Sequence, residues 1–385
     1  MRILHVAASL AIEWGGPPQV ITHLASALAK RHVSSTVYAS AIPRNGHLIE
    51  ISCETATFPV GFGASVWRGR SPELSRALRN AMDQHDLVHI YELWHHPHYA
   101  AVRAAQQTGT PYVISPLGAL EDAAMNRKGF RKRAYTALFQ RRALRQASAV
   151  HVMTESERTG VLQLAPDAKI ALLPLGVDVG AFTDLPPQET LDERFPVLSG
   201  KRVLLFLGRI HPIKGLPLAV DALARLSSDP KFDDVVLLIA GPDENGYQAE
   251  VEAHAEGLGV RARVIFTGLV AAEDKRAVLA RADAFVLPSL SEGFSVALLE
   301  ALASGLPAVI TEGCNFPELA AADAGRIVAR DPQAMELAFA DVLGEGRVRM
   351  AANARGLVVR EYGWDRIAEG MHAIYDEGLE GTVRS

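Results

Sequence analysis

Cysteine is nearly missing from this chain: only Cys53 and Cys314 occur among its 385 residues. Two such residues supply neither a disulfide framework nor a cysteine metal site, and a reducing cytoplasm is the expected setting. An excess of one charge sign is also lacking. Lys and Arg total 39 against 44 Asp and Glu, giving a net charge of −5 and a pI near 6.2. Nucleic acid is therefore not expected as a partner. No uninterrupted apolar run approaches the roughly 20 residues that a membrane span needs. The opening MRILHVAASLAIEWGG is broken at Glu13 and runs into a Gly-Gly-Pro turn. That pattern predicts a first buried strand rather than a signal segment.

What is present is an ordinary globular composition, 49% hydrophobic and 22% charged, at a length that favours two or three domains. The runs RILHVAA (2–8), SSTVYAS (34–40), LVHIY (87–91), YVISP (112–116) and AVHVMT (149–154) are strand-like, and QVITHLASALAKRH (19–32) is an amphipathic helix. The proline- and charge-bearing stretch 169–196 then breaks the rhythm and predicts a crossing linker. After it the pattern restarts with KRVLLFLG (201–208), VVLLIAG (235–241), RVIFTG (263–268), AFVLPS (284–289) and AVITE (308–312). Helical stretches fall between them at 216–227, 247–257, 273–281 and 296–304. Strands alternating with helices predict an α/β protein with two doubly wound, Rossmann-like parallel sheets. The expected domains are 1–180 together with 362–385, and 181–361, the last helix (364–380) returning to the first. Ligands of such sheets sit at the carboxyl ends of the strands, so a site in a cleft between the domains is expected.

One stretch carries the chemistry. In SEGFSVALLEALASGLP (291–307), AFVLPS has just ended a strand, SEGF turns, and a helix starts near Ser295 and stops at Gly305 and Pro307. The first N–H groups of that helix lack backbone partners and offer an anion site, and Gly293 lets a ligand approach closely. Glu300 lies in ALLEALA, a helix otherwise too apolar for the surface. Glu292 stands eight residues earlier, about 12 Å if the whole span were helical, which matches a sugar, a diphosphate and a ribose end to end. The helix start would hold phosphates, Glu300 the ribose hydroxyls and Glu292 the sugar. The plainer alternative, a solvated loop glutamate and a surface helix glutamate, is weakened by the apolar setting of Glu300. In FLGRIHPIKG (206–215), Arg209 and Lys214 follow another strand and are placed to neutralise a diphosphate.

On these motifs the chain resembles a retaining glycosyltransferase of the GT-B fold, glycosyltransferase family 4 (group 1). The resemblance covers essentially the whole chain. It includes EWGGP (13–17), FLGRIHPIKG, the Glu292/Glu300 pair, GVDVGAF (176–182) and the tryptophan-led helix at 364–380. DLVHIYELW (86–94) and SPLGAL (115–120) resemble members that build bacterial surface polysaccharides. The resemblance implies a UDP- or GDP-sugar donor bound mainly by the second domain, and a saccharide or lipid-linked acceptor bound by the first. It implies that Arg209, Lys214 and Glu292 are catalytic. Gly15, Gly16, Leu269, Val270, Gly293, Phe294, Ser295, Val296 and Glu300 would bind the donor. No metal and no other cofactor is expected, because the cations and the helix start would do that work. Retention would come from front-face attack, the donor phosphate taking the acceptor's proton. Two positions depart from the family pattern: Leu117 stands where many relatives have histidine, and Leu175 where many have asparagine.

His95 and His96 in ELWHHPHY are candidates to line the acceptor side, with surface or structural histidines as the alternative, and Asn126 and Arg131 are further acceptor candidates. No Asp or Glu occurs from Ala123 to Thr154, and NRKGFRKRAYTALFQRRALRQ carries eight Lys or Arg interleaved with Phe130, Tyr135, Leu138 and Phe139. Such a stretch (127–145) predicts an anionic membrane surface or a lipid diphosphate as partner, on the inner face of the cytoplasmic membrane. A solvated cationic face is the equal alternative. Other function classes stay open. Leu117 is compatible with a catalytically weak nucleotide-sugar-binding or regulatory subunit, and an epimerase shares the architecture. A dinucleotide-dependent oxidoreductase ranks last, since no G-x-G-x-x-G follows the first strand of either half.

Overall fold

A computed structural model describes residues 1–14, 16–42, 47–120, 139–270 and 272–383. The chain divides into two compact units, Met1–Gly176 with Trp364–Ser385, and Val177–Gly363. The sequence pattern had put these divisions at 180/181 and 361/362. They shift because Val177 donates its N–H to the Tyr362 carbonyl at 2.8 Å, and Phe182 and Tyr362 join the second unit's core. Gly176 stays with the first unit, where a Cβ on it would lie 2.6 Å from the Trp364 indole.

The first unit is built on a seven-stranded sheet. Its strands are β1 (Arg2–Ala7), β2 (Ser34–Ser40), β3 (Glu54–Phe58), β4 (Leu87–Tyr91), β5 (Tyr112–Ser115), β6 (Ala149–Val152) and β7 (Ile170–Leu172). They run parallel in the order β3-β2-β1-β4-β5-β6-β7, with Ile3 beside Leu87 and Val88 beside Tyr112. The central strands are buried along their whole length, as a parallel sheet covered on both faces requires. The two edge strands escaped the sequence pattern. ETATF is polar and half exposed, and β7 is three residues inside the stretch expected to be a linker. Helix 16–29 starts three residues before its expected position, with Pro17 and Pro18 in its first turn. Helix 364–383 returns to this unit, burying Ala368, Met371 and Tyr375 against Ile3, Leu24, Leu87 and Val113.

A polar chain threads the same sheet. His5 Nδ1 pairs with the Tyr91 hydroxyl at 2.8 Å, which pairs with His89 Nδ1 at 3.0 Å. His89 also meets the Tyr375 hydroxyl at 2.7 Å and Ser115 Oγ at 2.6 Å, and Ser115 meets His151 Nδ1 at 2.7 Å. All are buried. Burial keeps these imidazoles neutral, lowering His5 to about 3, His151 to about 4 and His89 well below its usual value.

The second unit carries a six-stranded parallel sheet, β8 (Arg202–Leu207), β9 (Val235–Ala240), β10 (Val264–Gly268), β11 (Ala284–Leu287), β12 (Ala308–Thr311) and β13 (Gly325–Val328). The order is β10-β9-β8-β11-β12-β13. Only β13 was unforeseen; its Gly325 lies so close to Ala308 that a Cβ would sit 2.0 Å from that carbonyl oxygen. In each unit the strand order reverses once, between β1 and β4 and between β8 and β11. The turns after those strands are where such sheets bind ligands. Among the described residues no helix is long and apolar enough to cross a membrane.

Candidate active site

At the reversal point of the second sheet, two turns are locked together. The turn after β8 ends at Gly215, whose φ of +65° is in the left-handed region and whose Cβ would lie 2.2 Å from the Pro288 carbonyl oxygen. Leu290 donates its N–H to the Ile213 carbonyl at 2.8 Å, tying the turn after β11 to the turn after β8. A third segment closes from the other side. Glu292 donates its N–H to Gly313 at 2.9 Å, and Asn315 Nδ2 donates to the Glu292 carbonyl at 3.2 Å. A Cβ on Gly313 would meet the Leu290 carbonyl at 2.4 Å, so only glycine allows this approach.

That framework holds an ion pair. Lys214 Nζ lies 2.6 Å from Glu292 Oε1 and 2.9 Å from Oε2, with side-chain exposures of 17% and 9%. Ser289, itself buried, donates its hydroxyl to the same carboxylate. A buried carboxylate needs such partners, since an unpaired charge in this setting is costly. Arg209 sits at the rim, 60% exposed, paired with Glu244.

Gly293 and Phe294 lead to helix 296–303. The helix starts where the sequence predicts, and Ser295 caps it, its hydroxyl accepting the Leu298 N–H at 3.2 Å. The N–H groups at the helix start have no partner within the helix and are ready for an anion. Glu300 is buried on this helix among Leu298, Leu299, Ala301 and Leu302. Lys275, on helix 272–281, reaches its Oε1 at 2.6 Å. Leu269 is 78% exposed and Val270 half-buried in the turn after β10.

Residues 187–357 match the model of the glycosyl transferases group 1 family, and residues 15–176 match that of the glycosyl transferase 4-like domain. The chain belongs to the group 1 glycosyltransferases. It is 24% identical over 400 residues to an uncharacterized glycosyltransferase of Methanocaldococcus jannaschii, covering 96% of this chain and 98% of that one. It is 28% identical over 320 residues to a D-inositol 3-phosphate glycosyltransferase of Xylanimonas cellulosilytica, covering 76% and 74%. The solved structure of Anabaena HepE in complex with UDP and glucose superposes with a TM-score of 0.74 at 18% identity, covering 98% and 99%. The fold of this glycosyltransferase is GT-B.

The glycosyltransferase thus brings Lys214 and Glu292 into contact, and Gly293, Phe294 and Ser295 lead on from Glu292 to the helix that starts at Val296. Arg209 and Glu300 carry separate partners. Sequence reasoning missed four of the groups that hold these residues: Ser289, Glu244, Lys275 and Asn315. None stands in a spacing that marks it: Ser289 and Lys275 meet carboxylates, Glu244 meets the Arg209 guanidinium, and Asn315 meets the Glu292 backbone carbonyl.

In the first unit, Gly16 opens its helix exposed, with open space where a Cβ would be. The turn after β4 holds Glu92 at φ +61° and Trp94 at φ +69°, two unusual conformations two residues apart. Trp14 Nε1 donates to Glu92 Oε1 at 2.9 Å. Burial raises the Glu92 carboxyl, against the Trp14 N–H, the Ala8 N–H and the Arg68 charge. His95 meets the Trp14 ring edge-on at 5.5 Å, and Arg68 stands over that ring at 4.2 Å. His96 is buried against Trp67, and burial lowers its pKa. Leu117 takes φ +53° and packs beside Leu10 and Tyr91, and Gly118 donates to the buried Glu157 at 2.6 Å. Leu175 is buried. Gly15, Asn126, Arg131 and most of the basic stretch lie outside the described residues. Its described end exposes Arg141, Arg142 and Arg145, which line a groove of about 480 Å³ with Gln146 and Asp167.

Proposed function

We propose that this glycosyltransferase moves a hexosyl unit, with retention and without a metal, from a UDP- or GDP-sugar to a saccharide or lipid-linked acceptor. The observation that carries this reading is the Lys214–Glu292 pair at the carboxyl ends of β8 and β11, next to the capped helix start at Ser295. Arg209, Lys214 and the N–H groups of Phe294, Ser295 and Val296 take the diphosphate oxygens. Lys214 has three N–H donors, so it can keep one on Glu292 while the others turn to phosphate. Glu292 accepts from the sugar hydroxyls and Glu300 from the ribose. The bond from C1 to the leaving diphosphate breaks, the acceptor oxygen bonds to C1 on the same face, and its proton passes to the leaving phosphate. The UDP in the Anabaena neighbour supports a uridine donor.

The strained turn from Glu92 to His95 supports an acceptor in the first unit, and the Arg141–Arg145 groove supports contact with anionic lipid at a bacterial membrane. Calorimetric titration with UDP and GDP, on wild type and Glu300→Ala, tests the donor half. One nucleotide should bind, and the variant should lose it. Hydrolysis of UDP-glucose or GDP-mannose, unchanged by EDTA, should then separate a transferase from a binding subunit. Failure of both nucleotides to bind folded protein would overturn the reading.

A further inference from the structure

Glu300 presents a physical problem that the nucleotide reading alone does not solve. Glu300 has 12% side-chain exposure on a helix whose other residues are all aliphatic, so its carboxylate needs polar partners and a fixed orientation to accept two hydroxyls. Left to itself its carboxylate would be free to rotate. Lys275 answers this. It stands on the helix that follows the turn at Leu269 and Val270, and its Nζ reaches Glu300 Oε1 at 2.6 Å with 30% of its side chain exposed. The two residues come from different helices, 25 positions apart, so the pairing is a product of tertiary packing rather than of local helix geometry.

We infer that Lys275 is a positioning residue for the nucleoside: it orients the Glu300 carboxylate so that its free lone pairs accept a vicinal diol. This rests on the assignment of Glu300 to the ribose. A carboxylate has about four acceptor sites, of which one ammonium occupies one. Oε2 and the second lone pair of Oε1 remain for two hydroxyl donors. The pair of hydrogen bonds needs both oxygens in one plane with the diol, and Lys275 fixes that plane from the side. A hydrogen bond to a carboxylate is also stronger than one to a neutral acceptor, and the lysine holds that acceptor in place. Lys275 therefore contributes to nucleotide affinity only through the hydroxyls, not through the diphosphate, which Lys214 and Arg209 take at the turn after β8.

The consequence separates this role from a merely structural one. UDP and 2′,3′-dideoxy-UDP are titrated calorimetrically into wild type, Lys275→Met, Lys275→Arg and Glu300→Gln; if GDP is the nucleotide that binds, the guanosine pair is used. Wild type should prefer UDP over the dideoxy compound by at least about tenfold, the scale of hydrogen bonds to a charged group. Lys275→Met should lower UDP affinity to near the dideoxy level and leave dideoxy-UDP within about twofold. Lys275→Arg, which keeps the cation, should restore most of the preference. Equal weakening of both nucleotides in Lys275→Met, or none, overturns the inference. If Glu300→Gln binds UDP as wild type does, the assignment of Glu300 itself is wrong and the inference falls with it. If Glu300→Gln loses the preference while Lys275→Met keeps it, only the role of Lys275 is wrong. Melting temperatures of each variant show whether a loss comes from unfolding.

Discussion

At the scale of single residues, Glu292 and Lys214 divide one task. The two form an ion pair in a nearly dry turn, so neither can be removed without leaving its partner unpaired. Glu292→Gln and Lys214→Met should each lower kcat/KM by roughly 10²-fold, the scale seen when one charge-stabilising group is lost from an active site. Steady-state kinetics with the donor found by titration measure it. Arg209 differs. It is 60% exposed and engaged with Glu244, so Arg209→Ala should act mostly on the turnover of bound donor and little on stability. A drop in melting temperature matching that of Lys214→Met would contradict this. Spacing alone picked out Lys214, Arg209, Glu292 and Glu300, because each follows a strand end or a helix start. It was silent on Ser289, Glu244 and Lys275, since a residue that merely faces another carries no local mark.

Among elements, the buried histidine chain sets how the first unit responds to acid. His5 and His151 are lowered to about 3 and about 4 by burial, while the unfolded chain titrates near 6.5. Above that value both states are neutral. Between about 6.5 and about 4 only the unfolded state takes up protons, so stability falls as pH falls, by up to roughly 1.4 kcal/mol per histidine per pH unit. Below about 3 the loss levels off. Chemical denaturation from pH 7 to pH 4 should show that slope, and a flat profile would mean the imidazoles are not held neutral. Tyr375→Phe removes the 2.7 Å contact to His89 and should cost about 1 kcal/mol. The short helix Arg141–Gln146 carries a separate expectation. Reversing Arg141, Arg142 and Arg145 to glutamate should abolish sedimentation with phosphatidylglycerol vesicles, and retained binding would exclude that groove as the lipid contact.

For the whole molecule, the terminal helix matters most. It leaves the second unit at Gly363 and buries Ala368, Met371 and Tyr375 in the first. Ending the chain at Gly363 should therefore strip several kcal/mol from the first unit, given about 2–5 kcal/mol for each large side chain lost from a core. The second unit's core contains none of these side chains, so binding of whichever nucleotide the full chain takes should survive the truncation. Calorimetric melting beside the nucleotide titration tests both halves of the statement. Loss of nucleotide binding in still-folded protein would show that the helix acts beyond its own unit.

Sequence by itself determined what is periodic or conformationally forced. The buried parallel strands read as continuous apolar runs, and SVALLEALASG as a helix that starts near Ser295 and stops at Gly305. The edge strands β3 and β7 stayed hidden because a half-exposed or three-residue strand has no such pattern. Tertiary structure alone decided the pairings: Lys214 with Glu292, Lys275 with Glu300, Trp14 with Glu92, and Tyr375 with His89. The physical reason is one of distance along the chain. A periodic face is written in neighbouring residues, whereas a buried charge or hydroxyl takes as its partner whatever group the fold carries to within 3 Å of it.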